Sequence, residues 1–193
     1  MAESCGVTCE LHVLTAGYAK DRVASTVTLL RDGDTLVVVD PGMVADRRLI
    51  LDPLGPLGIT PEQVTDVVLS HHHPDHTLNA ALFPNARFHD HMAVYRDDIW
   101  DERDAEGAKL SPAISLTVTP GHTAQDISTL AQTDQGLVVM THLWWTARGP
   151  ADDPYAPDRT RLAQERERIL ALQPALVIPG HGGPIAPSDQ TPI

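Results

Sequence analysis

The sequence predicts a single domain over residues 1–193 with an α/β sandwich fold. A chain of 193 residues is the ordinary size of one domain and short for two. Because 42% of the residues are hydrophobic and only 4% are aromatic, we expect a core built mainly from Val, Leu, Ile and Ala. Strand-like segments dominate the first part of the chain, and a helical segment lies between two later strands. This order of elements is typical of layered α/β proteins.

The N-terminal half is predicted to form strands first and short helices later. Apolar and polar residues alternate in the early segments, and the turn signal Asp-Gly-Asp at residues 32–34 joins two of them as a hairpin. A capping box at residues 60–63, with proline at the first helical position, begins a short helix. In chain order, we expect strands at 11–18, 24–31 and 35–40, a helix at 44–54, the helix beginning at Thr60, a strand at 66–70, a short helix at 77–83 and a strand at 86–89.

The C-terminal half is predicted to contain most of the remaining strands and the longest helix. Residues 93–109 are polar and acidic, and we expect a helix followed by a loop there. The segment 147–157 is rich in Pro, Asp and Gly, which indicates a surface loop. The other expected elements are strands at 114–119, 126–131, 137–141 and 175–178 and a helix at 158–172.

The charge balance disfavours nucleic-acid and membrane partners. The 14 Lys and Arg residues against 26 Asp and Glu residues give a net charge of −12, whereas phosphate backbones and anionic lipids require a basic surface. No apolar run reaches the roughly 18 residues of a membrane helix. Residues 1–6 lack the basic start and hydrophobic stretch of a secretory signal, so we expect a cytoplasmic protein with Cys5 and Cys9 as reduced thiols. The oligomeric state stays open, a homodimer included.

Histidine is concentrated in the segment HHHPDH at residues 71–76, which holds four of the ten histidines. Residues two apart in an extended chain face the same side, so His71 and His73 are expected to point together while His72 points away. Asp75 lies roughly in line with the first pair. Converging imidazoles and a carboxylate repel or desolvate one another without a cation, and the cluster therefore predicts a metal site. An exposed histidine run is the alternative, which the preceding buried strand disfavours.

Two further histidines follow strand ends in the same local sequence. Both His122 and His181 come directly after Pro-Gly at the end of a predicted strand. A rigid scaffold can aim both imidazoles at one point. For either residue alone a turn histidine is the plain alternative, but the repetition beside a histidine cluster favours metal ligands.

These segments resemble the successive motifs of the metallo-β-lactamase superfamily. The HHHPDH segment, Pro-Gly-His-Thr at His122 and Pro-Gly-His-Gly-Gly at His181 match its metal-binding motifs. Asp40, in Val-Val-Val-Asp-Pro-Gly, matches its first motif. The resemblance extends over about residues 10–185 and is strongest to the small single-domain members.

The resemblance implies a four-layer αββα sandwich with two divalent metal ions in a cleft at one edge. Zinc is the expected metal, with iron or manganese as alternatives. Asp40 would bond the metal-binding loop rather than a metal, the alternative being a turn-forming aspartate. The implied ligands are His71, His73 and His122 for the first ion and Asp75, His76 and His181 for the second.

The sequence departs from the superfamily at one position. Members usually place an aspartate that bridges the two metals after the strand corresponding to residues 137–140, and here Thr141 and His142 follow instead. An imidazole offers one lone pair to one metal. We therefore predict that His142 binds the second metal only, with Asp75, His76 and His181. The alternative is that His142 packs at the strand end beside Trp144.

The resemblance implies a metal-dependent hydrolase. In that reading a metal-activated water attacks a carbonyl or phosphoryl centre, and Asp75 orients the water and accepts or relays its proton. The expected substrate is a small molecule, namely an ester, lactone or thioester. A phosphodiesterase or nuclease is the first alternative, and the negative charge disfavours it. A one-metal enzyme, and a non-catalytic metal-binding protein weakened by loss of the bridging aspartate, are the others.

Overall fold

The computed structural model describes residues 7–193, and the expectation for Cys5 lies outside the described residues. Over this range the chain forms thirteen strands and three α-helices. The strands are β1 (Glu10–Thr15), β2 (Tyr18–Ala19), β3 (Val23–Ala24), β4 (Val27–Asp32), β5 (Thr35–Val39), β6 (Asp66–Val68), β7 (Arg87–His89), β8 (Ala93–Arg96), β9 (Ile99–Glu102), β10 (Ile114–Val118), β11 (Ile127–Thr133), β12 (Gly136–Thr141) and β13 (Leu176–Pro179). The helices are α1 (Arg48–Leu51), α2 (Pro74–Thr77) and α3 (Arg159–Ala171), with 3₁₀ turns at Asp52–Leu57, Pro61–Gln63 and Ala80–Leu82.

Two large sheets form the centre of the molecule. The first has seven strands in the order β1-β4-β5-β6-β7-β8-β9, and the second has four in the order β10-β11-β12-β13. Strand β6 is parallel to both of its neighbours, β5 and β7, and β13 is parallel to β12. The other neighbouring pairs in both sheets are antiparallel. Strands β2 and β3 form a separate two-residue hairpin.

Three apolar layers define the order of the sheets and helices. The middle layer joins the two sheets, with Val37 of β5 and Met140 of β12 in one buried cluster. A second layer packs β4, β5 and β6 against α1 and the 3₁₀ turns around Leu54. A third packs β12 and β13 against Leu162 and Ile169 of α3. The expected four-layer αββα sandwich is therefore confirmed.

The helix ends show how the local sequence sets the boundaries. Asp158 caps α3 by accepting a hydrogen bond from the Arg161 amide at 3.0 Å, close to the start expected at residue 158. The expected helix at 44–54 is α-helical only in α1, and 3₁₀ structure follows. Pro53 and Pro56 explain this difference, because proline has no N–H to donate to an α-helical hydrogen bond.

The expectation for residues 93–109 was wrong. This segment begins with the hairpin β8–β9, in which Tyr95 pairs with Trp100. The turn places Asp97 at φ 54°, a left-handed conformation that aspartate tolerates better than most residues. Because the turn contains no glycine or proline, the sequence offers no strong turn signal there.

Three other elements also differ from expectation. The strand expected at 11–18 ends with β1, and the strand expected at 24–31 divides into β3 and β4. The short helix expected at 77–83 begins earlier, as α2, and continues as the 3₁₀ turn. Proline at the first position of α2 favours this earlier start.

The strands β5, β6, β12 and β13 end near each other at one side of the sandwich. Thr26, which precedes β4, joins the two sheets there by donating its amide to the Gly180 carbonyl at 2.8 Å and its hydroxyl to the Gly182 carbonyl at 2.8 Å. No helix between residues 7 and 193 has the length and hydropathy that crossing a lipid bilayer requires.

Candidate metal centre

The first cluster consists of three imidazole nitrogens from two loops. The Nε2 atoms of His71 and His122 lie 3.0 and 3.1 Å from Nδ1 of His73. His71 and His73 follow β6, whereas His122 follows β10 of the other sheet. The three atoms have the mutual spacing that one metal ion requires.

The second cluster lies beside the first and contains a carboxylate. Oδ2 of Asp75 is 3.5 Å from Nε2 of His76 and 3.5 Å from Nε2 of His181. Asp75 and His76 belong to α2, and His181 follows β13. Each of the two clusters therefore combines side chains that follow strands of both sheets.

The outer ring nitrogens show which tautomers these histidines adopt. Nδ1 of His181 lies 2.9 Å from the Ala24 carbonyl, an acceptor only, so this nitrogen carries the proton. Nδ1 of His76 lies 2.8 Å from Asp40, and Nδ1 of His122 lies 2.8 Å from Asp153, where a carboxylate likewise accepts. In the neutral rings, the Nε2 atoms of all three histidines then carry lone pairs that face the clusters.

The facing lone pairs fit a bound cation. Nε2 of His76 is buried and has no hydrogen-bond partner among the described residues. Lone pairs brought together without a proton or cation repel, and a buried unpaired nitrogen costs about 1–3 kcal/mol. Divalent metals accept these donors, and an imidazole hydrogen-bonded to a carboxylate on its far side is the usual metal-binding arrangement.

His142 stands between the two clusters. Its ring centroid lies 4.1 Å from that of His122, 4.6 Å from that of His76 and 5.0 Å from that of His181. Nε2 of His142 is 3.1 Å from Nε2 of His181, and Nδ1 is buried without a partner among the described residues. One nitrogen of His142 also groups with nitrogens of His71 and His76. Its assignment to the second ion alone stays a prediction.

Burial controls the protonation of the innermost rings. It lowers the pKa of His71 and His142 well below the usual histidine value, and the like charge that neighbouring histidines carry when protonated lowers it further. Burial also lowers the pKa of His76, but the charge and hydrogen bond of Asp40 outweigh burial, so the net shift is upward. Burial lowers the pKa of His181 as well. The low pKa values of His71, His142 and His181 keep these imidazoles neutral, which is the state that binds a metal.

Asp40 bonds the loop that carries the histidine segment. Its Oδ1 accepts the Ser70 amide at 2.7 Å, and its Oδ2 accepts the Ser70 hydroxyl at 2.7 Å and His76 Nδ1 at 2.8 Å. Its backbone adopts φ 52° directly after β5. Asp40 therefore fixes both the start of the histidine loop and the orientation of His76.

His72 points away from both clusters, as strand alternation predicts. Its Nε2 lies 3.0 Å from Asp90 Oδ2.

Behind the first cluster, Asp126 Oδ1 lies 3.8 Å from His71 Nδ1. Burial raises the pKa of Asp126 to about 6, although hydrogen bonds from Thr123 lower it.

Sequence reasoning missed the residues that orient the clusters from behind. Asp153, Asp126 and the Ala24 carbonyl bear no motif, and Asp153 lies in the segment expected to be a plain surface loop. Its side chain is nevertheless fully buried. Arg166 of α3 holds this loop by donating to the carbonyls of Pro150 and Ala151 at 2.7 and 3.0 Å.

A cavity of about 510 Å³ opens onto both clusters. Its volume falls in the range of small-molecule sites. Trp145 lines the cavity, whereas Trp144 is buried in the third apolar layer. The lining comprises cluster residues His73, Asp75, His122 and His181 with Pro74, the aromatic residues Trp145 and Tyr155, and Ala19, Lys20 and Val23 of the β2–β3 hairpin.

Comparison with known proteins shows the superfamily to which the chain belongs. The sequence profile described as the Metallo-beta-lactamase superfamily matches residues 21–105. A Xenopus laevis relative is 31% identical over 188 residues, a match that covers 90% of this chain and 80% of the relative. The chain therefore belongs to the metallo-β-lactamase superfamily.

Within this superfamily the chain is similar to relatives named Metallo-beta-lactamase domain-containing protein 1, as the motifs suggest. The Xenopus laevis relative bears this name, and so does a human relative that is 35% identical over 155 residues. The human match covers 77% of this chain and spans 58% of the human protein's length.

Solved structures show the shared fold. A provisionally assigned metallo-β-lactamase of Thermotoga maritima has a TM-score of 0.72 at 22% identity, covering 93% of this chain and 100% of the other. An N-acyl homoserine lactone hydrolase has a TM-score of 0.65 at 17% identity, covering 90% of this chain and 92% of the other.

Proposed function

We propose that this protein is a hydrolase that uses two divalent metal ions, zinc first among them, to cleave a small ester, lactone or thioester. The observation that carries the proposal is the convergence of bare imidazole nitrogens and the Asp75 carboxylate where a small-molecule cavity opens. Membership of the superfamily supports metal-dependent hydrolysis as the reaction class.

The ligands divide between two ions in this proposal. His71, His73 and His122 hold the first ion, and Asp75, His76 and His181 hold the second. His142 joins the second set through the nitrogen that faces His181. Neutral His142 in place of an anionic bridge leaves more positive charge at the centre.

Bound divalent ions supply Lewis acidity, which lowers the pKa of water and polarises the scissile carbonyl. The remaining steps belong to the chain. In this proposal Asp75 orients a water molecule and accepts its proton, which is supported by its position both in the cavity lining and in the second cluster. Asp40 and Asp153 hold His76 and His122 in the tautomers that binding requires.

The test is a substrate panel on protein that has been stripped of metal and reloaded with zinc, iron or manganese. Ester, lactone, thioester and phosphodiester substrates are assayed together with bound-metal stoichiometry. A lactone arm is included because one neighbour in fold is an N-acyl homoserine lactone hydrolase. We expect metal-dependent turnover of an ester, lactone or thioester, with about two ions bound.

Matched variants separate the alternatives. His71→Ala removes a cluster ligand and should abolish turnover, whereas His12→Ala, on β1 and outside both clusters, should not. Turnover of the phosphodiester alone would contradict the proposal in favour of a nuclease. Metal binding with no turnover would indicate a non-catalytic protein, and full activity with one ion would indicate a one-metal enzyme.

A further inference from the structure

One wall of the cavity is a stacked pair of aromatic rings. The rings of Trp145 and Tyr155 lie 5.8 Å apart at an interplanar angle of 28°. Tyr155 keeps 65% of its surface exposed, although it also contacts His122 edge-on at 5.5 Å. An aromatic surface open to a cavity beside candidate metal ligands is suited to contact with an apolar group of a ligand.

Asp153 joins the wall to the first cluster. Trp145 Nε1 donates to Asp153 Oδ2 at 2.7 Å, and the Tyr155 amide donates to Asp153 Oδ1 at 2.9 Å. The same Oδ2 accepts Nδ1 of His122. One buried carboxylate therefore holds the Trp145 ring, the Tyr155 backbone and the His122 ring together, and such pre-organisation reduces the entropy lost on ligand binding.

A single lysine contributes a cation to the cavity lining. The chain contains two lysines, Lys20 and Lys109, and Lys20 lines the cavity from the β2–β3 hairpin with an exposed side chain. A protein of net charge −12 repels anions at long range, so a local cation matters most for a ligand that carries a negative charge.

We infer that the cavity takes a substrate with an apolar, aromatic or alkyl group against the Trp145–Tyr155 wall and a carboxylate near Lys20. The inference rests on the proposed function for its reaction, because the clusters line the same cavity as these two contacts. The substrate class is then a small amphiphilic acid that bears an ester, lactone or thioester.

Binding of non-reacting probes tests this class without turnover. Calorimetry on the metal-loaded protein compares 3-phenylpropionate with its uncharged analogue 3-phenylpropanamide. We expect tighter binding of the acid. Lys20→Met should weaken binding of the acid about two- to fivefold, the scale of an exposed ion pair, and leave the amide unchanged. Lys109→Met, the matched control, should change neither. Tyr155→Ala should weaken both probes about fivefold through lost aromatic contact.

Several outcomes overturn the inference. An acid preference that survives Lys20→Met places the carboxylate on the metals instead. Equal binding of acid and amide by the parent protein removes the anionic contact, and unchanged binding in Tyr155→Ala removes the aromatic one. If the probes do not bind as expected but the substrate panel shows metal-dependent hydrolysis, only the substrate class is overturned. Probe binding as expected with an inactive panel overturns only the hydrolase function.

Discussion

Replacement of Asp153 by asparagine should weaken metal binding although Asp153 touches no metal position. Its two oxygens accept hydrogen bonds from His122 Nδ1 at 2.8 Å, Trp145 Nε1 at 2.7 Å and the Tyr155 amide at 2.9 Å. Asparagine has one acceptor oxygen. If that oxygen accepts the hydrogen bonds of His122 and Trp145, the NH₂ group of the asparagine faces the Tyr155 amide. Two donors then face each other and no hydrogen bond forms.

The size of the effect follows from these three bonds. Bonds to a charged acceptor are about twice as strong as neutral ones, and the variant loses the charge at two bonds and the third bond entirely. Loss of the outer partner of a metal-binding histidine typically lowers metal affinity about 10- to 100-fold. This range corresponds to about 1.4–2.7 kcal/mol of binding free energy.

Competition between the protein and a chromophoric zinc chelator measures the change. Asp152→Asn is the matched control. Asp152 is the adjacent residue, its side chain is 64% exposed, and it pairs with Arg159 at the surface. An exposed pair of this kind contributes about 0–1 kcal/mol to stability and should not affect metal affinity. Equal zinc affinity in the two variants would refute the role assigned to Asp153.

The remaining predictions concern the clusters themselves. EDTA should lower the melting temperature and abolish hydrolysis, because metal binding to the native state alone stabilises it, and an unchanged melting curve would contradict the site. His71→Ala should lose more bound metal than His72→Ala, since His72 points to Asp90, and equal losses by elemental analysis would exclude this geometry. Asp75→Asn should lower turnover about 10²-fold or more, the scale of a lost general base, so near-normal rates with metal retained would remove Asp75 from proton transfer. His142→Ala should bind about one ion where the parent binds two, and retention of both ions would show that His142 is not a ligand.

The sequence predicted the strands of both sheets well because their apolar runs are short and clearly bounded. The hairpin β8–β9 was missed for the opposite reason. All four residues of β9 are exposed, so it carries no buried face to impose a hydrophobic pattern. The helix predicted at 44–54 was longer than α1, because the spacing of apolar residues does not reveal that Pro53 and Pro56 lack the N–H groups of an α-helix.

The histidines that form the clusters were predictable because their spacing has geometric meaning. His71 and His73 point together through strand alternation, and the Pro-Gly-His turns bring in His122 and His181. The outer partners were not predictable in the same way. Asp153 is indistinguishable in sequence from Asp152, and only the anchoring of its loop by Arg166 makes one buried and the other exposed.

The division of each cluster between the two sheets has a kinetic consequence. His71, His73, Asp75 and His76 belong to the edge of the seven-stranded sheet, whereas His122 and His181 belong to the edge of the four-stranded one. Each bound ion would cross-link the two sheets, next to the hydrogen bonds by which Thr26 joins them. Full release of an ion then requires bonds to residues of both sheets to break. The residence time of the bound metal should therefore lengthen when the interface between the two sheets is strengthened.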